Sequence, residues 1–77
     1  MVIHVQSHAD MSEFTAHLGP EGELDVPRGT TVKDVLTMLQ VPQDRKTIVI
    51  INGGGRPLDH GLQPGDKMVF FPPLEGG

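Results

Sequence analysis

Thr31-Val-Lys-Asp-Val-Leu-Thr-Met-Leu39 decides the fold, because it is the clearest helical stretch in the chain. Val32, Val35, Leu36 and Leu39 fall at i, i+3, i+4 and i+7, which predicts one apolar stripe along a helix. Thr31 and Asp34 have capping-box spacing, with aspartate standing where glutamate is usual. Val41-Pro42 closes the helix, since the residue before a proline disfavours the helical region.

Strands flank the helix on both sides. Upstream, Val2, Ile3 and Val5 alternate with His4 and Gln6 over residues 2–6. Residues 21–26 are expected as a second strand, with Leu24 and Val26 on one face and Glu23 and Asp25 on the other, ahead of a turn at Pro27-Arg28-Gly29. Downstream, residues 47–51 are apolar at almost every position, which predicts burial on both faces, or on one face with a partner on the other. Asn52-Gly53 starts a turn that Gly54 and Gly55 extend, and residues 56–58 are expected as a short edge strand, where Pro57 is tolerated. A further turn surrounds Pro64-Gly65, and residues 68–71 form the last strand. Between the first two strands, Ser12 is expected to cap a brief helix carrying Phe14 and Leu18, which Gly19-Pro20 ends.

The order strand, strand, helix, strand, short strand, strand is an α+β pattern, a mixed sheet of four to five strands with one main helix on one face. Parallel pairing of the first and last strands at the centre gives a β-grasp arrangement, although other small α+β folds share this order. Residues 1–71 are expected as a single domain and residues 72–77 as a flexible tail.

Composition narrows the function classes. The chain has 77 residues, 36% apolar and 21% charged, with ten acidic residues against six basic. A domain this small buries only about 60–65% of its unfolded surface, too little to enclose a deep active site. The net charge of −4 argues against nucleic acid as a partner. With no cysteine, disulfides, thiolate metal sites and cysteine nucleophiles are excluded. The longest apolar runs, residues 48–51 and 68–71, fall far short of the roughly 20 residues of a membrane span. No signal peptide is evident, so a cytoplasmic protein is expected.

Most catalytic constellations are missing. Gly61-Leu-Gln-Pro-Gly65-Asp-Lys67 has the wrong spacing for a phosphate loop, and Gly53, Gly54 and Gly55 are too clustered for a dinucleotide fingerprint. His4, His8, His17 and His60 read as solvated surface histidines, and no metal site is expected. Ser7 and Ser12 have no nucleophile-elbow context.

The informative segment is Phe70-Phe71-Pro72-Pro73-Leu74-Glu75-Gly76-Gly77. At a glycine frequency of about 7%, a terminal Gly-Gly arises by chance in under ~1% of chains, an allowance to be doubled for this glycine-rich sequence. Its placement after an apolar strand and a proline pair strengthens the signal. Polyproline-II geometry at about 3.1 Å per residue projects the carboxylate roughly 18–20 Å from the last strand. Two residues without Cβ thread a channel too narrow for others. Such a tail suits delivery of its own carboxylate into another protein's active site. An ionised carboxylate is a poor electrophile and needs activation, most economically as an acyl adenylate from ATP. The chain has no nucleotide site of its own, so ATP is used by a partner and no cofactor is expected on this chain.

Asn52-Gly-Gly-Gly-Arg-Pro-Leu-Asp-His60, Leu62-Gln-Pro-Gly-Asp-Lys67, Val69-Phe-Phe-Pro-Pro73 and Gly76-Gly77 together resemble the ubiquitin-like sulfur carriers, most of all the molybdopterin synthase small subunit. The similarity runs more weakly through Gly19-Pro-Glu-Gly22, Val26-Pro27 and the helix. It implies a ubiquitin-like β-grasp fold and a non-catalytic carrier subunit. It also implies that Gly77 is adenylated by a ubiquitin-activating-type adenylyltransferase. A sulfur donor such as a cysteine desulfurase or rhodanese then converts Gly77 to a thiocarboxylate. In the molybdopterin branch the synthase large subunit uses that sulfur to build the dithiolene of the molybdenum or tungsten cofactor. By position, Gly76 is the sterically permissive neighbour of Gly77, and Phe71, Pro72, Pro73, Leu74 and Glu75 lie along the partner. The stretch Ser7-His-Ala-Asp-Met11 departs from the family's usual aromatic, arginine-containing segment. Thiamine and tRNA-thiolation carriers share the fold and the Gly-Gly end but usually lack Phe-Phe-Pro-Pro. A ubiquitin-like modifier attached through Gly77, and an interaction module with an inert tail, are the rival readings.

The last strand supports a partner independently. Alternation puts Met68 and Phe70 on one side, and Val69 and Phe71 on the other. A sheet covered by one helix needs only one of these sets for its core. Met68 and Phe70 are assigned to the core, and Val69 and Phe71 to a partner surface, unless residues 7–20 fold over that face.

Overall fold

The computed structural model describes residues 1–73. It contains β1 (Val2–Ser7), a 3-10 helix (Ala9–Phe14), β2 (Glu23–Asp25), α1 (Val32–Met38), β3 (Ile48–Ile51), β4 (Gly54–Gly55) and β5 (Lys67–Phe71). The strands form one five-stranded sheet in the order β2-β1-β5-β3-β4. β1 and β5 pair in parallel at its centre, and every other pairing is antiparallel. This is the β-grasp topology expected from the element order.

The α1 stripe sits where its period predicts. Val32, Val35, Leu36 and Leu39 are all buried, in one cluster with Ile3, Val5, Val49, Ile51, Met68 and Phe70 from the sheet. The capping box is complete. The Thr31 hydroxyl accepts from the Asp34 N–H at 3.2 Å, and the Asp34 carboxylate accepts from the Thr31 N–H at 3.0 Å. That backbone hydrogen bond, with the Thr31 side chain and then Lys33 assisting, holds the Asp34 carboxyl below its ordinary value. A depressed carboxyl contributes stability above its unfolded pKa and loses it as pH falls through the folded one. Asp34→Asn should therefore flatten the acid limb of the stability curve. Thr31→Ala should cost about 1 kcal/mol near neutral pH, read from urea midpoints.

The helix stops before the proline signal. Gln40 takes a left-handed φ of 65°, its N–H donates to the Thr37 carbonyl, and the Val41 N–H donates to the Leu36 carbonyl at 2.9 Å. Those bonds make a Schellman motif, sealed by the buried side chains of Leu36 and Val41.

Two local expectations need correction. Ser12 does not cap a helix; it lies inside the 3-10 helix, whose N-cap is His8. The helix is placed by Met11, fully buried in the core, with Phe14 and Leu18 packed partly buried against the same cluster. The Ser7 and Thr15 hydroxyls, 2.7 Å apart, tie its far end to β1. The short edge strand is Gly54–Gly55 rather than residues 56–58. Asn52 and Gly53 both have positive φ, 50° and 85°, so they alone make a tight two-residue hairpin turn, and the next two glycines already pair with Ile51 and Ile50.

Candidate functional site: the open face of the sheet and the root of the tail

The register of β5 decides which side chains are presented. Met68 pairs with Val5 and Ile51, and Phe70 with Ser7 and Val49, on the side facing α1. Met68 and Phe70 are fully buried, while Val69 and Phe71 are half-buried on the opposite face. A slip of one residue would exchange the two sets. Asn52 holds the register from the hairpin turn. Its side-chain amide donates to Asp66 at 2.9 Å and its side-chain carbonyl accepts from the Lys67 N–H at 2.9 Å, while Asp66 accepts from the Gln63 N–H at 2.8 Å.

Two further residues join Val69 and Phe71. Ile50 lies directly across from Val69, and Ile48 across from Phe71. Ile50 is half-buried and Ile48 is 40% exposed. These four side chains make a contiguous apolar patch over β3 and β5, the kind of surface that marks a protein interface. The apolar run at residues 47–51 carried the signal, since a doubly apolar strand on a half-covered sheet must turn one set of side chains outward.

Residues 7–20 do not cover the patch. Met11 takes the 3-10 helix into the core on the α1 side. Pro20 and Glu21 do reach the open face, but beside His4, Gln6 and Lys67, at the margin of Val69.

The patch leads to the root of the tail. Pro72 and Pro73 are half-buried and line a groove with Ala9, Asp44, Arg45 and Lys46. Arg45 is fixed there by a 2.7 Å ion pair with Asp10, and its guanidinium lies 5.8 Å from the centre of the Phe14 ring. The chain thus leaves the sheet past two cations and two carboxylates, those of Asp10 and Asp44. Leu74, Glu75, Gly76 and Gly77, the remaining residues assigned to the tail and its reactive end, lie outside the described residues. Among the described residues, no helix is long and apolar enough to cross a membrane.

Comparison with known proteins agrees with this geometry. The model of the ThiS family matches residues 8–77. The chain belongs to the ThiS family. No curated protein matches the sequence significantly. Among solved structures, SAMP1 from Haloferax volcanii is similar at 26% identity and a TM-score of 0.75, with all of both chains covered. A second structure of the H. volcanii small archaeal modifier protein 1 gives 25% identity and a TM-score of 0.74, over 95% of this chain and 98% of that one. A Pyrococcus furiosus protein named for molybdopterin converting factor subunit 1 shares the fold at 20% identity and a TM-score of 0.73, over 96% and 99% of the two chains. The architecture is that of a small ubiquitin-like carrier or modifier.

Proposed function

We propose that this chain is a cytoplasmic sulfur carrier of molybdopterin biosynthesis, a cosubstrate and non-catalytic subunit whose reactive group is the Gly77 carboxylate. The observation that carries the carrier reading is the ThiS-family match, which runs to Gly77. The Phe-Phe-Pro-Pro run supports the molybdopterin branch over thiamine or tRNA thiolation, and the Pyrococcus furiosus protein named for molybdopterin converting factor subunit 1 shares the fold. The apolar patch of Val69 and Phe71, continuous with Phe-Phe-Pro-Pro, supports the carrier reading. The carboxylate attacks the α-phosphorus of ATP in an adenylyltransferase, and pyrophosphate leaves. The terminal sulfur of a persulfide on a donor such as a cysteine desulfurase or rhodanese then attacks the acyl carbon, and AMP departs with the C–O electron pair. A second thiol reduces the S–S bond of the resulting acyl disulfide, so the donor leaves as a disulfide and a thiocarboxylate remains. In the large subunit of a molybdopterin synthase, the thiocarboxylate sulfur is positioned against the acceptor carbon of a pterin precursor.

In this scheme Val69, Phe71, Pro72, Pro73, Leu74, Glu75 and Gly76 lie against the partner, and Gly76 keeps the approach to Gly77 narrow. Phe71→Ala should weaken binding to the adenylyltransferase or synthase by about 2 kcal/mol or more, roughly 30-fold, with the fold intact. Calorimetric titration of the partner checks this. If Phe70→Ala folds normally and proves the poorer binder, the face assignment is inverted.

The likeness to the small archaeal modifier structures favours a second reading, in which Gly77 is joined to protein lysines. Mass spectrometry of the chain recovered from its own cells separates the two. A carrier yields Gly77 as a thiocarboxylate, and a modifier yields Gly77 in isopeptide linkage. Loss of Gly76 and Gly77 without any consequence for the cell would leave neither reading standing.

A further inference from the structure

We propose that His4, Glu21 and Glu23 bind one divalent transition-metal cation of the Zn2+ class at the β1–β2 margin of the open face. One ligand atom from each residue lies within 4.8 Å of the others. The backbone builds this convergence. His4 and Glu23 are register partners across the antiparallel β1–β2 pair, so their side chains share the open face. Glu21 is brought in by the turn before β2. There the Gly22 N–H donates to the Gly19 carbonyl and the Gly22 carbonyl accepts from the Val5 N–H, both at 2.8 Å. Gly22 has a φ of 64°, and a Cβ on it would stand 2.1 Å from the Val5 carbonyl oxygen, so only glycine lets the turn lie this close to β1.

The imidazole is also prepared for a metal. His4 Nδ1 is 3.1 Å from the Glu21 carbonyl oxygen. A carbonyl can only accept, so the neutral ring carries its proton on Nδ1 and its lone pair on Nε2. Backbone fixation of one ring nitrogen is the usual way a protein orients the other as a ligand. His4 is half-buried, which restrains the ring, while both glutamates are exposed and free to rotate. Ligands at about 2.0–2.2 Å from a tetrahedral ion stand roughly 3.4 Å apart, so rotation of the two carboxylates closes the site. Among the described residues neither Glu21 nor Glu23 is in a salt bridge. Among the described residues Lys67, the register partner of His4 on β5, is the cation lining this part of the face, and one lysine against two glutamates leaves the cluster net negative. One imidazole and two carboxylates suit Zn2+, with a fourth position left for water or for a side chain of a docked protein.

The test uses the full chain, stripped with chelator and titrated with Zn2+ alone, by calorimetry and by NMR of the imidazole nitrogens. The proposal expects one equivalent bound, with the His4 ring signals shifting. His4→Asn should weaken binding at least ~10-fold, as should the exposed pair Glu21→Gln with Glu23→Gln. His8→Asn, His17→Asn and His60→Asn should leave it unchanged. If His4→Asn fails to fold, the glutamate pair decides. Absence of saturable binding, or binding that survives loss of both glutamates, or that resides on the other histidines, would overturn the site.

Discussion

Phe70→Ala is expected to cost about 3–5 kcal/mol, the range for removing a fully buried aromatic ring from a core. Phe70 is wholly inaccessible to solvent on the central strand, in one cluster with Val5, Val49 and the α1 stripe. A domain of this length has only about 4–12 kcal/mol of stability in total, so the variant should lose a large share of it and melt far below the parent. Phe71→Ala, one residue on, should cost only about 1 kcal/mol, because it loses a cross-strand contact with Ile48 rather than core volume. Urea midpoints of the two variants read the difference directly. Equal losses would mean that the Phe71 face is also core, and would remove the physical case for a docking patch there.

The second large effect falls on chemistry and leaves stability alone. Deleting Gly77, or adding one residue after it, should abolish sulfur transfer completely. In the proposed scheme deletion leaves the terminal carboxylate on Gly76, one residue short of the partner's active site, and extension carries it one residue too far. Neither change touches the buried cluster, whose last member is Phe70, so both variants should melt with the parent. Gly76→Val should fold equally well but slow adenylation, because in the proposed scheme a branched side chain would crowd the partner's channel. A truncated chain that still restored cofactor synthesis in a carrier-deficient cell would contradict the scheme.

The fold was legible wherever one residue's role followed from its neighbours. The Val32, Val35, Leu36 and Leu39 stripe and the Thr31/Asp34 cap are local patterns, and the structure realises both. The alternation of Met68 to Phe71 likewise separated core from open face. What escaped was set by distant partners. Met11 places the 3-10 helix by filling a core gap between elements, which no period in residues 7–20 announces. Gly54–Gly55 is a strand only because a two-residue turn delivers it to β3, whereas glycine has low strand propensity of its own. The apolar run at residues 47–51 signals a partner-facing side, but it is too uniform to say which residues face outward, and Ile48 and Ile50 are singled out only by their register with β5. His4 looked isolated, because spacing along one strand says nothing of Glu21 and Glu23, which reach it through antiparallel pairing and the turn at Gly22.

The most direct test of the central claim is the intact mass of the chain after incubation with ATP, a ubiquitin-activating-type adenylyltransferase and a sulfur donor. The sulfur-carrier account predicts a gain equal to the exchange of one oxygen for one sulfur, located by fragmentation at Gly77 and absent when ATP is withheld. An unchanged mass, with adenylyltransferase and donor shown active on another carrier, would contradict it.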